Sequence, residues 1–133
     1  MGVLKTFQTF YLSNATLCAA VPFERVYSGW LPPTLVLPDD LPYVAVNLVS
    51  QSFNWLTFGG NELNRIQISI FHTDLTALEG LIETFTSELD WVQISADCSF
   101  CRREGVQVIV ESDQPQKRII YHAAIDYTVA LAK

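Results

Sequence analysis

Two cysteines have the spacing in this sequence that most resembles a metal-binding or redox pair. Cys98 and Cys101 form a C-x-x-C motif within "SADCSFCRREG". Such a pair could be half of a tetrahedral zinc site, but no second C-x-x-C and no H-x3-H completes it. Cys18 plus one of the two histidines would then have to supply the other two ligands. A redox C-x-x-C opens a helix in a βαβ unit, whereas polar turn residues surround this one. We predict incidental thiols, and a small metal-binding or redox module is an alternative.

Other arrangements that carry out catalysis have little support. The histidines His72 and His122 are isolated, and no G-x-S-x-G motif is present. The segment "FGGN" leads into a strand, whereas a phosphate-binding loop opens a helix. Arg102 and Arg103 are too few to bind nucleic acid, and the net charge of −6 opposes contact with phosphates. The sequence predicts no enzyme, no catalytic residues, no cofactor and no metal site.

Composition bounds the class of protein. The 133 residues are expected to form one domain, residues 1–133, and an apolar content of 50% argues against disorder. Charged residues make up 17%, against an average of about 25%, so part of the surface is expected to be covered by other subunits. The N-terminal apolar run is interrupted too early for a signal peptide, and no run reaches the length of a membrane span. We expect a soluble protein made in the cytoplasm.

The elements that position these residues follow from hydrophobic periodicity. A helix is predicted over residues 3–20, followed by a segment with five prolines in residues 22–42. Strands are predicted from Leu41, over 63–71, over 106–111 and over 118–131, with a helix from "HTD" to about Leu89. The expected fold is α+β: a two-layer sandwich with a mainly antiparallel four-stranded sheet packed by a long helix, plus an N-terminal helix and a Pro-rich loop.

Four large apolar side chains precede the turn at Gly59-Gly60, in a predicted hairpin arm. They are Phe53, Trp55, Leu56 and Phe58. Such groups are unusual in a solvated connection. Two of them could fold back onto the core, or the arm could pack into a neighbouring subunit, and we favour the subunit interface.

The predicted long helix has an acidic side that includes Glu79 and Glu83. No Lys or Arg occurs between Arg65 and Arg102. Two carboxylates four residues apart repel each other by a few tenths of a kcal/mol. The face is either solvated only, or an acidic surface directed at a channel lumen or a basic partner.

In the order of these segments the sequence resembles the tail-completion proteins of long-tailed bacteriophages, the tail-terminator or tail-to-head joining family. After an N-terminal helix, "RVYSGWLPP" is similar to the family's Arg-(Ile/Val)-Tyr-x-Gly stretch followed by prolines. The segment "LPYVAVNLVS" is similar to its Leu-Pro-Tyr-Val strand, and "NRIQISIFHTDLTALEGLIETF" to its strand, turn and helix. "RIIYHAAIDYTVAL" is similar to its long final strand. The likeness covers most of the chain, and "SADCSFCRREG" departs from it.

The resemblance implies a ring subunit, typically of a hexamer, located in the virion at the end of the tail tube. Such a ring stops tube growth and contacts the tail tube protein and the head-completion protein, while DNA crosses its opening without specific binding. We hypothesise that Glu79, Glu83 and Asp113 contribute to an acidic lumen that repels DNA. A head-completion adaptor or a tail tube protein is the alternative within virions.

Overall fold

The computed structural model describes residues 2–29, 42–54, 61–113 and 118–132. The helices are α1 (Val3–Ser13), α2 (Ala15–Ala20) and α3 (Leu75–Leu89), and a 3-10 turn covers Phe23–Arg25. The strands are β1 (Val26–Ser28), β2 (Tyr43–Asn54), β3 (Asn61–His72), β4 (Cys98–Asp113) and β5 (Arg118–Ala132). None of the described helices has the length and apolar character needed to cross a membrane.

In the described part of the chain the strands form one sheet, in the order β1-β2-β3-β5-β4. The β2–β3, β3–β5 and β4–β5 pairs are antiparallel, as predicted. The predicted count of four strands is wrong, because Val26–Ser28 pairs in parallel with Val44–Val46 and makes the sheet mixed and five-stranded. Three residues are too few for an alternation signal, and the prolines that follow them favoured an irregular segment. The α+β class is confirmed.

The core lies between the helices and one face of the sheet. Ile66, Ile68 and Ile70 of β3 are fully buried there, and β5 contributes Ala123, Ile125, Tyr127 and Val129. From α3, Leu78, Phe85 and Leu89 pack against this face, while Leu75 stays exposed. Asp74 caps α3, because its Oδ1 accepts hydrogen bonds from the amides of Thr76 and Ala77 at 2.9 and 3.3 Å.

The predicted N-terminal helix is broken in two at Asn14. This residue has an extended conformation, and its side-chain oxygen accepts a hydrogen bond from the Leu17 amide at 2.9 Å, so it begins α2. Tyr11 ties α1 to the end of α2. It is fully buried, and its hydroxyl donates hydrogen bonds to the carbonyl oxygens of Val21 at 2.6 Å and of Leu17 at 3.0 Å. Burial raises the pKa of Tyr11 above its ordinary value.

The sequence indicated a turn region in "SADCSFCRREG". In the structure this segment is part of strand β4 from Cys98 onward. Two irregularities in the β4–β5 register, between Cys98 and Phe100 and between Arg103 and Gly105, interrupt the two-residue alternation. The alternation signal was therefore lost, although the backbone pairing continues.

Candidate interaction surfaces

The predicted subunit-interface residues fall, in sequence, at the end of β2 and between β2 and β3. The backbone of Phe53 pairs with Glu62, but the side chain of Phe53, and Trp55, Leu56 and Phe58 entirely, lie outside the described residues. Strand β2 pairs with β3 along one edge as far as Asn54. Along its other edge, β1 pairs with β2 only as far as Val46. Leu48 and Val49 just beyond are 39% and 55% exposed. The described part of the hairpin therefore exposes apolar side chains to solvent next to the predicted contact residues.

The predicted acidic residues are divided between two elements. Glu79 and Glu83 are both exposed on α3, four residues apart on one helix face. Asp113 ends β4, where its backbone is in register with Arg118, and its side chain is outside the description. Glu88, on the same helix, accepts a hydrogen bond from the Asn14 amide group at 3.1 Å, so this carboxylate joins α3 to the α1–α2 junction.

Asp90, directly after α3, ties the helix to the sheet. The Tyr127 hydroxyl donates a 2.7 Å hydrogen bond to Asp90 Oδ1, and Arg103 Nη2 lies 3.4 Å from Oδ2. Burial, together with this bond to a carboxylate, raises the pKa of Tyr127. Sequence reasoning missed this three-residue group because its members are far apart in the chain.

The next residue, Trp91, is an exposed aromatic side chain in an unusual backbone conformation. Its φ is +60°, a region that non-glycine residues seldom adopt. Its amide donates a 2.7 Å hydrogen bond to the Cys101 carbonyl, and its side chain is 68% exposed, with the ring tilted towards Phe100. The strained backbone and the hydrogen bond hold this tryptophan at the surface.

The second face of the sheet, opposite the helices, carries a stack of three rings. Tyr43, Phe71 and His122 stack across three strands, with ring centroids 4.6 and 4.2 Å apart, and Tyr43 is only 5% exposed. Burial, with the Glu111 carboxylate nearby, raises the pKa of Tyr43 to about 12. The His122 side chain is 14% exposed, with Nδ1 3.1 Å from Glu111 Oε1. The stack therefore shields Tyr43 from solvent on this face.

The two C-x-x-C thiols belong to the core. Cys98 and Cys101 are each 1% exposed and lie in the main apolar cluster. Burial raises the pKa of both, that of Cys101 to about 12 with smaller contributions from Cys98 and Asp90. Within the described residues, no group of three or more His, Cys, Asp or Glu side chains is placed to hold a metal ion.

We expect only one of the three thiols to react with Ellman's reagent in the folded protein at pH 8. Cys18 is partly exposed on α2, whereas the other two are buried and protonated at that pH. Cys18→Ser should remove the fast phase, and unfolding in guanidinium should release two slow thiols. Rapid labelling of all three, or stoichiometric zinc in protein purified without chelator, would contradict this assignment.

A cleft of about 240 Å³ lies between α1 and the end of β5. Its lining is Thr6, Thr9, Ile94, Ser95, Asp97, Leu131 and Ala132. Asp97 is the one ionisable side chain in that set, so the cleft offers hydrogen bonds but lacks the acid and base pair of a hydrolytic site.

Comparison with known proteins identifies the fold alone. No protein-family model and no curated protein matches the chain. A chain in the solved structure of the virion of a native gene transfer agent (GTA) particle is similar with a TM-score of 0.68. The match covers 96% of this chain and 92% of that chain at 12% sequence identity. The likeness therefore extends over nearly the whole of both chains.

Proposed function

We propose that this chain is a structural subunit of a tailed-phage or phage-like virion, and that it forms a ring, a hexamer, at the end of the tail tube. The ring ends the tube and joins it to the head-completion proteins, and DNA passes through its opening. The observation that carries the proposal is the fold shared over nearly the full length of a virion chain. The order of segments that resembles tail-completion proteins supports the finer assignment. We propose no catalytic role.

Ring closure needs two different surfaces on each subunit, because a head-to-tail contact joins unlike patches. We propose the far end of the β2–β3 hairpin as one of them, with Phe53, Trp55, Leu56 and Phe58 as its aromatic and aliphatic anchors. The described part of the hairpin supports this choice, since Leu48 and Val49 are exposed where β1 no longer covers β2. A charged fraction of 17% agrees with a surface partly covered by sister subunits.

The acidic side chains are proposed to face the lumen. Glu79→Gln/Glu83→Gln/Asp113→Asn should leave rings intact, because Glu79 and Glu83 are exposed and removing their mutual repulsion favours α3 by only a few tenths of a kcal/mol. The neutralised ring should retain DNA at low salt, where the native ring does not, in an electrophoretic assay. Glu24→Gln is the control, since it neutralises one exposed carboxylate away from α3 and should not increase DNA retention. If DNA retention and ring electrostatics are both unchanged in this variant, the three residues do not line the lumen.

The proposal is tested by tail-tube length. Tubes grown from the tube protein of the same virion should stop at a set length when the purified chain is present, and should overgrow without it. Heads should join only tubes that carry the chain. Negative-stain microscopy measures both. If tube length is the same with and without the chain, the terminator function is contradicted. If the chain forms long tubes by itself, it is a tube protein instead.

A further inference from the structure

Strand β4 carries an exposed apolar row along one edge of the sheet. Among the described strands it has a neighbour, β5, on one side only. Val106, Val108 and Val110 point to the same side of the sheet and are 41%, 45% and 64% exposed. The register is regular from Gly105 to Asp113, so this stretch presents a straight backbone edge of the kind that accepts another strand.

Charges of opposite sign lie at the two ends of this edge. Arg102 precedes the row and Glu111 follows it, and each side chain is 47% exposed. Both point to the second face of the sheet, because Arg102 is in register with Thr128 and Glu111 with Ile120. Arg102 Nε already contacts Glu104 at 2.7 Å, which leaves the other guanidinium nitrogens for a further partner.

These positions make β4 complementary to an antiparallel copy of itself. Gln107 is in register with Ala124, midway between Ile120 and Thr128. The irregularity between Arg103 and Gly105 takes up one residue, so Arg102 and Glu111 both lie four β5 positions from Gln107. A two-fold axis through Gln107 therefore sets Arg102 of each copy opposite Glu111 of the other. The same axis sets Val106 opposite Val108, so the apolar residues also meet. A parallel pairing would instead place like charges together.

We propose that a second copy of this chain docks on β4, strand to antiparallel strand, and so makes a symmetric dimer with one continuous sheet. The contact is two-fold, so it differs from the head-to-tail contact of the proposed ring. It uses the β4 edge of the sheet, on the far side of β5 from the β2–β3 hairpin. This inference goes beyond the proposed function and does not depend on it.

Charge reversal tests the dimer by sedimentation velocity. Arg102→Glu and Glu111→Arg should each weaken dimerisation by about tenfold or more, because the symmetry repeats every like-charge pair twice. The double variant Arg102→Glu/Glu111→Arg should restore dimers to near the native level. Lys5→Glu and Glu24→Arg make the same charge changes at exposed positions away from β4 and should have no effect. Circular dichroism verifies that each variant is folded.

Val108→Lys is the second arm, since it places a charge in the middle of the apolar row at a position exposed in the single chain. It should give folded monomers. A native chain that does not dimerise, single variants that dimerise normally, or a double variant that stays monomeric would each overturn the proposal. Tube-length control is measured separately, so failure here and failure of the ring are distinguishable.

Discussion

Tyr11→Ala is expected to lower the free energy of unfolding by about 3–5 kcal/mol, the largest stability effect of any change considered. Tyr11 is fully buried, and its ring lies 6.1 to 6.2 Å from those of Phe7, Phe23 and Phe85. Loss of the Tyr11 ring leaves a cavity where α1, the 3-10 turn and α3 meet. The substitution also removes the hydroxyl that donates hydrogen bonds to two carbonyl oxygens at the end of α2. Urea unfolding followed by circular dichroism measures the effect.

Two variants separate packing from hydrogen bonding at this position. Tyr11→Phe keeps the ring but leaves the Leu17 and Val21 carbonyls without the hydroxyl, and should cost about 1–2 kcal/mol. Leu12→Ala, at a neighbouring position that is 58% exposed, should stay within about 0.5 kcal/mol of the native chain. Equal losses for Tyr11→Ala and Leu12→Ala would mean that Tyr11 does not hold the helices together.

Trp55→Ala is expected to abolish ring assembly while the single chain stays folded. A buried aromatic anchor contributes about 2 kcal/mol or more to a protein contact, which is a factor of about 30 in affinity at each interface. A closed ring repeats that loss at every contact. Light scattering combined with electron microscopy measures the population of rings. Trp55 lies outside the described residues, so this prediction comes from the sequence and from the exposed hairpin that leads to it.

Trp91→Ala is the matched control, because it removes the same side chain from a described, exposed position at the end of α3. Rings should form as in the native chain. If Trp55→Ala also left rings intact, the hairpin would not be the ring contact. If it unfolded the monomer, the tryptophan would belong to the subunit's own core.

Local periodicity was enough to predict the elements that build the core. Ile66, Ile68 and Ile70 alternate strictly and are all fully buried, and the stripe of α3 places Leu78 and Phe85 against them. These predictions succeeded because a strand with one buried face and an amphipathic helix repeat their pattern over many residues.

Features decided by contacts between distant residues could not be predicted in the same way. β1 is three residues long and is held by parallel pairing with β2, so nothing in its own sequence identifies it. The Asp90 group joins residues from α3, β4 and β5 through side chains. The exposure of Val106 and Val108 depends on which face the helices cover, whereas the sequence shows only alternation.

The central claim is that copies of this chain form a ring at the end of a tail tube, and imaging of tube ends tests it most directly. Tail tubes incubated with gold-labelled chain should carry label at one end only, and averaged end views should show cyclic symmetry around a central opening. Label along the tube, label on the head shell, or unlabelled ends without a ring would contradict the claim.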